Sequence, residues 1–259
     1  MRSIIPPPII FAHRGSSAHA PENTLAAFEL ALRQEADGIE LDARLSADQQ
    51  VVIIHDQSVD RTTNGTGRVR DLSLPALREL DAGSHFDVAF RGEPIPTLTD
   101  VFEAVGQRTF INIELKNYES PNDPLPEKVA QLVLQHGMST RVLFSSFHPI
   151  VLRRIHRLLP EVPIGLLALP GKSGSLARGW LGKLLVPYQA LHPELHDVTQ
   201  TLVLHAHRAG RKVNVYTVNQ PRDMRKLFSL EVDGIFTDDP LLARQVLAIS
   251  DRSLRPSIG

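Results

Sequence analysis

Cysteine is absent from the 259 residues. That excludes a disulfide framework, a thiolate nucleophile and Cys-ligated zinc, and it agrees with a cytoplasmic setting, the expectation adopted here. An excess of one charge is also missing. Lys and Arg number 28 against 29 Asp and Glu, a formal net charge of −1, so the basic stripe of non-specific nucleic-acid binding is not present. No run approaches the roughly 18 uninterrupted apolar residues of a membrane span. Met1 to Pro8 is too short and too proline-rich to read as a signal peptide. No nucleic-acid partner and no stable membrane insertion are therefore expected. The Gly-rich phosphate loop that marks many open doubly wound sheets is missing as well, and no internal repeat is visible.

What the chain does have is 42% hydrophobic residues, spread over short Val/Ile/Leu-rich runs separated by segments of helical spacing. Candidate strands are Ile9–Ala12, Gly38–Arg44, Val51–His55, Phe110–Leu115, Val142–Ser145, Ile164–Ala168, Lys212–Val218 and Gly234–Thr237, with a weaker one at Gln189–His192. Amphipathic stretches include Thr24–Gln34, Glu127–His136, Pro149–Leu159 and Thr199–Ala209. In the first, Leu25, Phe28 and Leu32 share a face and Asn23 is the expected N-cap. Continuous apolar strands alternating with helices indicate parallel strands buried on both faces. At this length the alternation predicts a single α/β domain over residues 1–259, a (β/α)₈ TIM barrel, with an open doubly wound sheet as the rival.

Nine candidates exceed a barrel of eight. No crossover helix fits between Gly38–Arg44 and Val51–His55, so these two are expected to form an antiparallel hairpin. A two-residue turn at Asp48-Gln49 would set Ser46 against Val51, Arg44 against Ile53 and Asp42 against His55, bringing a carboxylate and an imidazole to one face. Asp-Gln is a poor tight turn, because both positions want positive φ; a longer loop with shifted register is the alternative. Residues 57–98 hold Thr62-Thr63-Asn64-Gly65-Thr66-Gly67 and a short helical piece near Leu74–Leu80. They read as a small insertion after the second strand, packed over one mouth of the barrel.

Four features carry chemistry. His13-Arg14-Gly15 follows the first strand directly, at the rim where parallel barrels place their active sites. There a histidine can move protons and an arginine can clamp a phosphate. The competing reading is a buried histidine beside a structural ion pair. Glu40 and Asp42 lie two apart in an apolar strand and so share a face. Two buried carboxylates repel one another, which either a cation or two separate basic partners must relieve. Glu114 and Lys116 end another apolar strand; with Glu40 and Asp42 they give three oxygen ligands, which suit one Mg²⁺ or Ca²⁺ better than zinc, and a point charge for phosphate. His55-Asp56 completes the set as a second candidate for proton transfer. Of the other histidines, His136, His156, His205 and His207 read as helix-surface residues, and His148 and His192 as candidates to line a pocket.

These stretches resemble the glycerophosphodiester phosphodiesterases over nearly the whole chain. The matching motifs are Ala12–Gly15, Pro21–Thr24, Gly38–Asp42, Ile54–Asp56, Asp60–Gly67, Ile95–Leu98, Ile113–Lys116, Ser145–Phe147, Tyr216–Asn219 and Gly234–Pro240. The resemblance implies a metal-dependent barrel that hydrolyses small glycerophosphodiesters to glycerol 3-phosphate and an alcohol. It implies His13 and His55 as the acid/base pair, Glu40, Asp42 and Glu114 as metal ligands, and Arg14 and Lys116 against the phosphate. Tyr216 stands where the family often has Trp and would touch the glycerol or leaving group; Asp48-Gln49 replaces the family's Asp-Gly turn. Two further readings keep the same barrel. One is phospholipase D-type cleavage of lysophospholipids, for which the apolar Leu176–Pro187 region around Trp180, with Lys172, Arg178 and Lys183 nearby, would face lipid. The other is a non-catalytic barrel that binds phosphorylated ligands.

Overall fold

The computed structural model describes residues 7–178, 184 and 186–254. Nine strands form one sheet: β1 (Ile9–Ala12), β2 (Gly38–Leu45), β3 (Val51–Ile53), β4 (Phe110–Leu115), β5 (Val142–Ser146), β6 (Ile164–Ala168), β7 (Ala190–Pro193), β8 (Lys212–Val215) and β9 (Gly234–Thr237). Eight of them run parallel, and β1 pairs with both β2 and β9, so the ring closes into a (β/α)₈ barrel. The ninth, β3, lies antiparallel on β2. Every residue of β5 and β6 is buried, as strands covered on both faces must be. Helices Leu125–Gln135 and Pro149–Leu158 lay Val129, Val133, Val151, Leu152 and Ile155 against the strands at full burial. Each such side chain contributes about 1.5–3 kcal/mol by leaving water.

The first helix, Leu25–Arg33, corrects the cap assignment. Thr24 is the N-cap, its Oγ1 accepting from the Ala27 N–H at 3.2 Å. Asn23 has φ +59° and turns its amide to the barrel interior instead. Asn enters the left-handed region more readily than most residues, which frees it for that task.

The β2–β3 register also differs from the two-residue turn. The pairs are Ala43–Ile53, Arg44–Val52 and Leu45–Val51, one residue out from the expected set. Ser46 closes a three-residue loop: its N–H donates to the Gln50 carbonyl at 3.0 Å and its Oγ accepts from the Gln50 N–H at 2.9 Å. Such a loop needs one left-handed residue rather than two, and Gln49 supplies it at φ +59°. Asp48 accepts from Ser46 Oγ at 2.6 Å and from the Leu74 N–H at 2.9 Å, tying the turn to the following segment. Asp42 therefore lies across from Ile54, whose N–H donates to the Asp42 carbonyl at 2.9 Å, and His55 sits past the strand end.

Residues 54–97 form a substructure whose Ile54, Val59, Val69, Leu77, Ala82 and Ile95 make a small core with Val52 of β3. The short helix Leu74–Arg78 lies within it. Bridges Ser58–Arg68 and Val52–Thr97 fasten it internally and to the hairpin. Trp180 and Lys183, central to the lipid-facing reading, lie outside the described residues. Among the described residues, no helix is long and apolar enough to cross a membrane.

Candidate active site

The strand register assembles the acidic cluster. Asp42 pairs with Glu114 across β2 and β4, and Glu40 lies two residues earlier on the same face of β2. One oxygen from each carboxylate lies within 4.8 Å of the others. All three residues are buried, Asp42 to 1% exposure. Burial, then the charges of Asp42 and Glu114, push the Glu40 carboxyl well above the usual range. Burial opposes ionisation of Asp42 too. There the Lys116 ammonium, the Arg14 guanidinium and His55 prevail, aided by the Asn23 amide, and hold it below the ordinary value.

The basic residues interlock with this cluster. Lys116 Nζ lies 3.2 Å from Glu114 and 3.5 Å from Asp42. Desolvation works against its charge, but Glu114 and Asp42 keep its pKa above that of a free lysine. Arg14 donates its backbone N–H to Glu40 Oε2 at 3.0 Å, sets Nε 3.4 Å from Asp42 and pairs with Glu22 at 2.9 Å. Asn23 holds Asp42 from both ends of its amide, at 2.8 and 3.2 Å. Arg14 adopts φ +57° and Gly15 φ +83°. Any Cβ at Gly15 would come within 2.6–2.9 Å of Ala27, so only glycine lets the chain turn there. Tyr118 donates its hydroxyl to Glu114, and its ring meets Phe147 edge-on; Phe147 meets Tyr216 in the same way, with centroids 5.9 Å apart in each pair.

Each candidate histidine has a carboxylate on Nδ1. His13 Nδ1 is 2.7 Å from Asp238 Oδ1, which also accepts from Ser17 Oγ at 3.1 Å; Asn219 Nδ2 donates to Oδ2 at 2.5 Å. Burial would raise the Asp238 carboxyl, but hydrogen bonds from His13, Asn219 and Ser17 bring it below the usual value. His55 Nδ1 is 2.6 Å from Asp56, whose other oxygen accepts from Arg61 Nε at 2.6 Å. That Arg61 hydrogen bond is the main reason the Asp56 carboxyl falls to about 2. Desolvation lowers the His55 pKa against the pull of Asp42. Carboxylates on both Nδ1 atoms make these N–H donors and leave each Nε2 as the free acceptor.

The other two pocket candidates are placed differently. His148 is the N-cap of Pro149–Leu158, half-buried at the rim, its Nδ1 accepting from the Ile150 N–H at 3.3 Å. His192 is wholly buried, inside the barrel rather than lining an open pocket. Phe236 lies beside it at 5.0 Å, and a Cβ on Gly165 would stand 2.5 Å from its ring. His136, His156, His205 and His207 are on helices or their ends, as expected, although His207 bonds the buried Asp233 at 2.7 Å.

Reasoning from residue types gave no role to Asp238, Glu22, Arg61 or Tyr118, and gave Asn23 only that of a helix cap. Asp238 had a signal, since it directly follows the last strand at the same rim as His13. Arg61 had only its place in the matching stretch Asp60–Gly67, because its partners are set by the path of the segment 54–97.

In class, a closed barrel with its ionisable groups gathered at the carboxyl-end rim is that of a (β/α)₈-barrel enzyme. The profile of the Glycerophosphoryl diester phosphodiesterase family matches residues 13–242. The glycerophosphodiester phosphodiesterase of Caldanaerobacter subterraneus subsp. tengcongensis is 41% identical over 233 residues, 90% of this chain and 94% of that one. That of Bacillus altitudinis is 38% identical, covering 89% and 94%. In three dimensions the chain is similar to an Oleispira antarctica phosphodiesterase solved with its product sn-glycerol-3-phosphate, with a TM-score of 0.84, 32% identity and 93% and 97% coverage. A glycerophosphodiester phosphodiesterase from Agrobacterium tumefaciens superposes with a TM-score of 0.78 at 34% identity, over 92% and 99% of the two chains. The chain belongs to the glycerophosphoryl diester phosphodiesterase family and is an enzyme.

Proposed function

We propose that the protein hydrolyses small glycerophosphodiesters to glycerol 3-phosphate and an alcohol, with His13 and His55 as the proton-transferring pair. The observation that carries this is the pairing of two Nδ1-anchored imidazoles with a buried carboxylate cluster at one barrel mouth. Relatives named for the same reaction, and the product complex of the Oleispira enzyme, support it.

The donor set fits one divalent cation. The oxygens of Glu40, Asp42 and Glu114 converge, and Glu40 Oε1 is buried with no hydrogen-bond partner among the described residues. An all-oxygen site of this kind suits Mg²⁺ or Ca²⁺, and Glu40, Asp42 and Glu114 would be the ligands. A bound cation would supply Lewis-acid charge beside a phosphate oxygen.

The protein's own groups account for the rest. Arg14 and Lys116 carry positive charge toward the phosphate and offset charge that grows as the transition state forms. One imidazole, neutral, takes a proton from the nucleophile at Nε2, while the other, protonated on both nitrogens, delivers its Nε2 proton to the leaving oxygen. Such transfer contributes on the order of 10²–10⁴-fold. The nucleophile is water, or the glycerol 2-hydroxyl by way of a cyclic phosphate. Tyr216, in the wall with Phe147 and Tyr118, packs against the glycerol or leaving group. We place the reaction in the cytoplasm, on the cysteine-free composition.

The test is a panel of glycerophosphodiesters incubated with Mg²⁺, Ca²⁺ or chelator, with released glycerol 3-phosphate measured. Release with cation and none from His13→Ala supports the reading; full turnover by His13→Ala refutes it.

A further inference from the structure

Besides His55 and Asp56, the segment 54–97 brings Arg61 to the site. Arg61 Nε donates to Asp56 at 2.6 Å, while NH1 and NH2 donate to the two oxygens of Glu22, both at 2.8 Å. Asp56 in turn holds His55, and Glu22 holds Arg14 at 2.9 Å. One guanidinium therefore sits at the node of an uninterrupted chain, His55–Asp56–Arg61–Glu22–Arg14. Its two branches end on a histidine and on the arginine that touches both Glu40 and Asp42.

The loop that presents Arg61 is braced. The Val59 N–H donates to the Gly67 carbonyl at 3.0 Å and Thr63 Oγ1 to the Val59 carbonyl at 2.7 Å. The Gly67 N–H closes on Asp60 Oδ1 at 2.8 Å. Val59, Thr62 and Thr63 are buried beneath it, so the loop is fixed from below. The Arg61 side chain is 49% exposed. Its three N–H bonds run to two carboxylates in one fixed geometry. A planar guanidinium meets that geometry; an ammonium cannot, because it lacks the rigid fork.

We propose that Arg61 is a positioning residue that fixes the tautomer and pose of His55 and the pose of Arg14 together, which makes the segment 54–97 a working part of the site. The inference rests on the proposed role of His55 and Arg14. Its structural half, the setting of His55, is measurable without any reaction.

The experiment compares wild type with Arg61→Ala, Arg61→Lys, Glu22→Gln and the Arg61→Ala/Glu22→Gln double variant. Removing partners that orient active-site groups typically costs about 10–100-fold. Arg61→Ala is expected to lose kcat in that range with an unchanged melting temperature, and to regain several-fold with millimolar guanidinium, far below denaturing concentrations. Arg61→Lys regains little. The double variant loses no more than the worse single one, since both break the same chain. Independently, imidazole ¹⁵N spectra show His55 as the Nδ1–H tautomer in wild type and as a mixture in Arg61→Ala. An Arg61→Ala protein with wild-type kcat, or an unaltered His55 tautomer, overturns the proposal; so does a loss matched by a fall in melting temperature that guanidinium leaves unrepaired. Inactivity of the wild type on glycerophosphodiesters would instead overturn the proposed reaction, and the tautomer measurement would still decide the role of Arg61.

Discussion

Replacing Asp238 by Asn isolates the anchoring of His13 with minimal change of shape. The carboxylate receives His13 Nδ1 at 2.7 Å, Ser17 Oγ at 3.1 Å and Asn219 Nδ2 at 2.5 Å. Three donors thus converge on two oxygens that carry no hydrogen. An amide keeps one oxygen and presents an NH₂ group where the other was. The arrangement with least conflict gives the oxygen to Asn219, whose amide has no alternative, and turns the NH₂ toward His13. Nδ1 must then accept, the proton moves to Nε2, and the ring can no longer take a proton from a reacting group. The loss should reach the full acid/base contribution, about 10²–10⁴-fold in kcat, or about 3–5 kcal/mol at 1.36 kcal/mol per tenfold. The assay is steady-state release of glycerol 3-phosphate, with a urea titration to establish that the variant is folded and ¹⁵N shifts of His13 to read the tautomer. A folded Asp238→Asn protein within about threefold of wild-type kcat would refute the reasoning, since His13 would then need no fixed Nδ1–H.

Two other predictions concern stability. His192 is fully buried and desolvation pushes its pKa down to about 3, so the folded state refuses a proton that the unfolded chain accepts from about pH 6.5 downward. Its contribution is complete above that pH and is lost as pH falls toward the folded value. Between about pH 8 and about pH 5 it should cost the wild type about 2 kcal/mol. In His192→Gln that part of the slope should vanish in urea titrations, whereas a slope identical to wild type would contradict it. Gly15→Ala puts a Cβ within 2.6–2.9 Å of Ala27 at φ +83°. It should cost more than about 2 kcal/mol and displace His13 and Arg14; a melting temperature equal to that of wild type would show that the turn has more room than it displays.

The barrel was legible because its strands announce themselves by composition. Phe110–Leu115, Ile164–Ala168 and Gly234–Thr237 have the ends expected of them, since apolar runs bounded by polar or turn residues leave little choice. The three carboxylates were legible for a related reason: acidic residues inside apolar strands need a physical excuse, and strand periodicity gives their direction. The hairpin register was not, because it rests on which loop residue accepts a positive φ, and Gln49 does so without the Gly or Asn that signals it. Nor was the Asn23 contact to Asp42. A cap at Asn23 or at Thr24 satisfies the same local rules, and only the approach of β2 decides between them. The long-range pair His13 with Asp238 follows from the closed ring, which brings β1 beside β9, and Arg61 with Glu22 from the path of the segment 54–97.

The most direct test follows glycerol 3-phosphate release from glycerophosphocholine in a single progress curve, with chelator added during turnover and Mg²⁺ or Ca²⁺ then restored in excess. The account predicts that release stops on chelation and resumes on restoration, with no such recovery in Asp42→Asn. Turnover that continues undiminished through the chelator would contradict it.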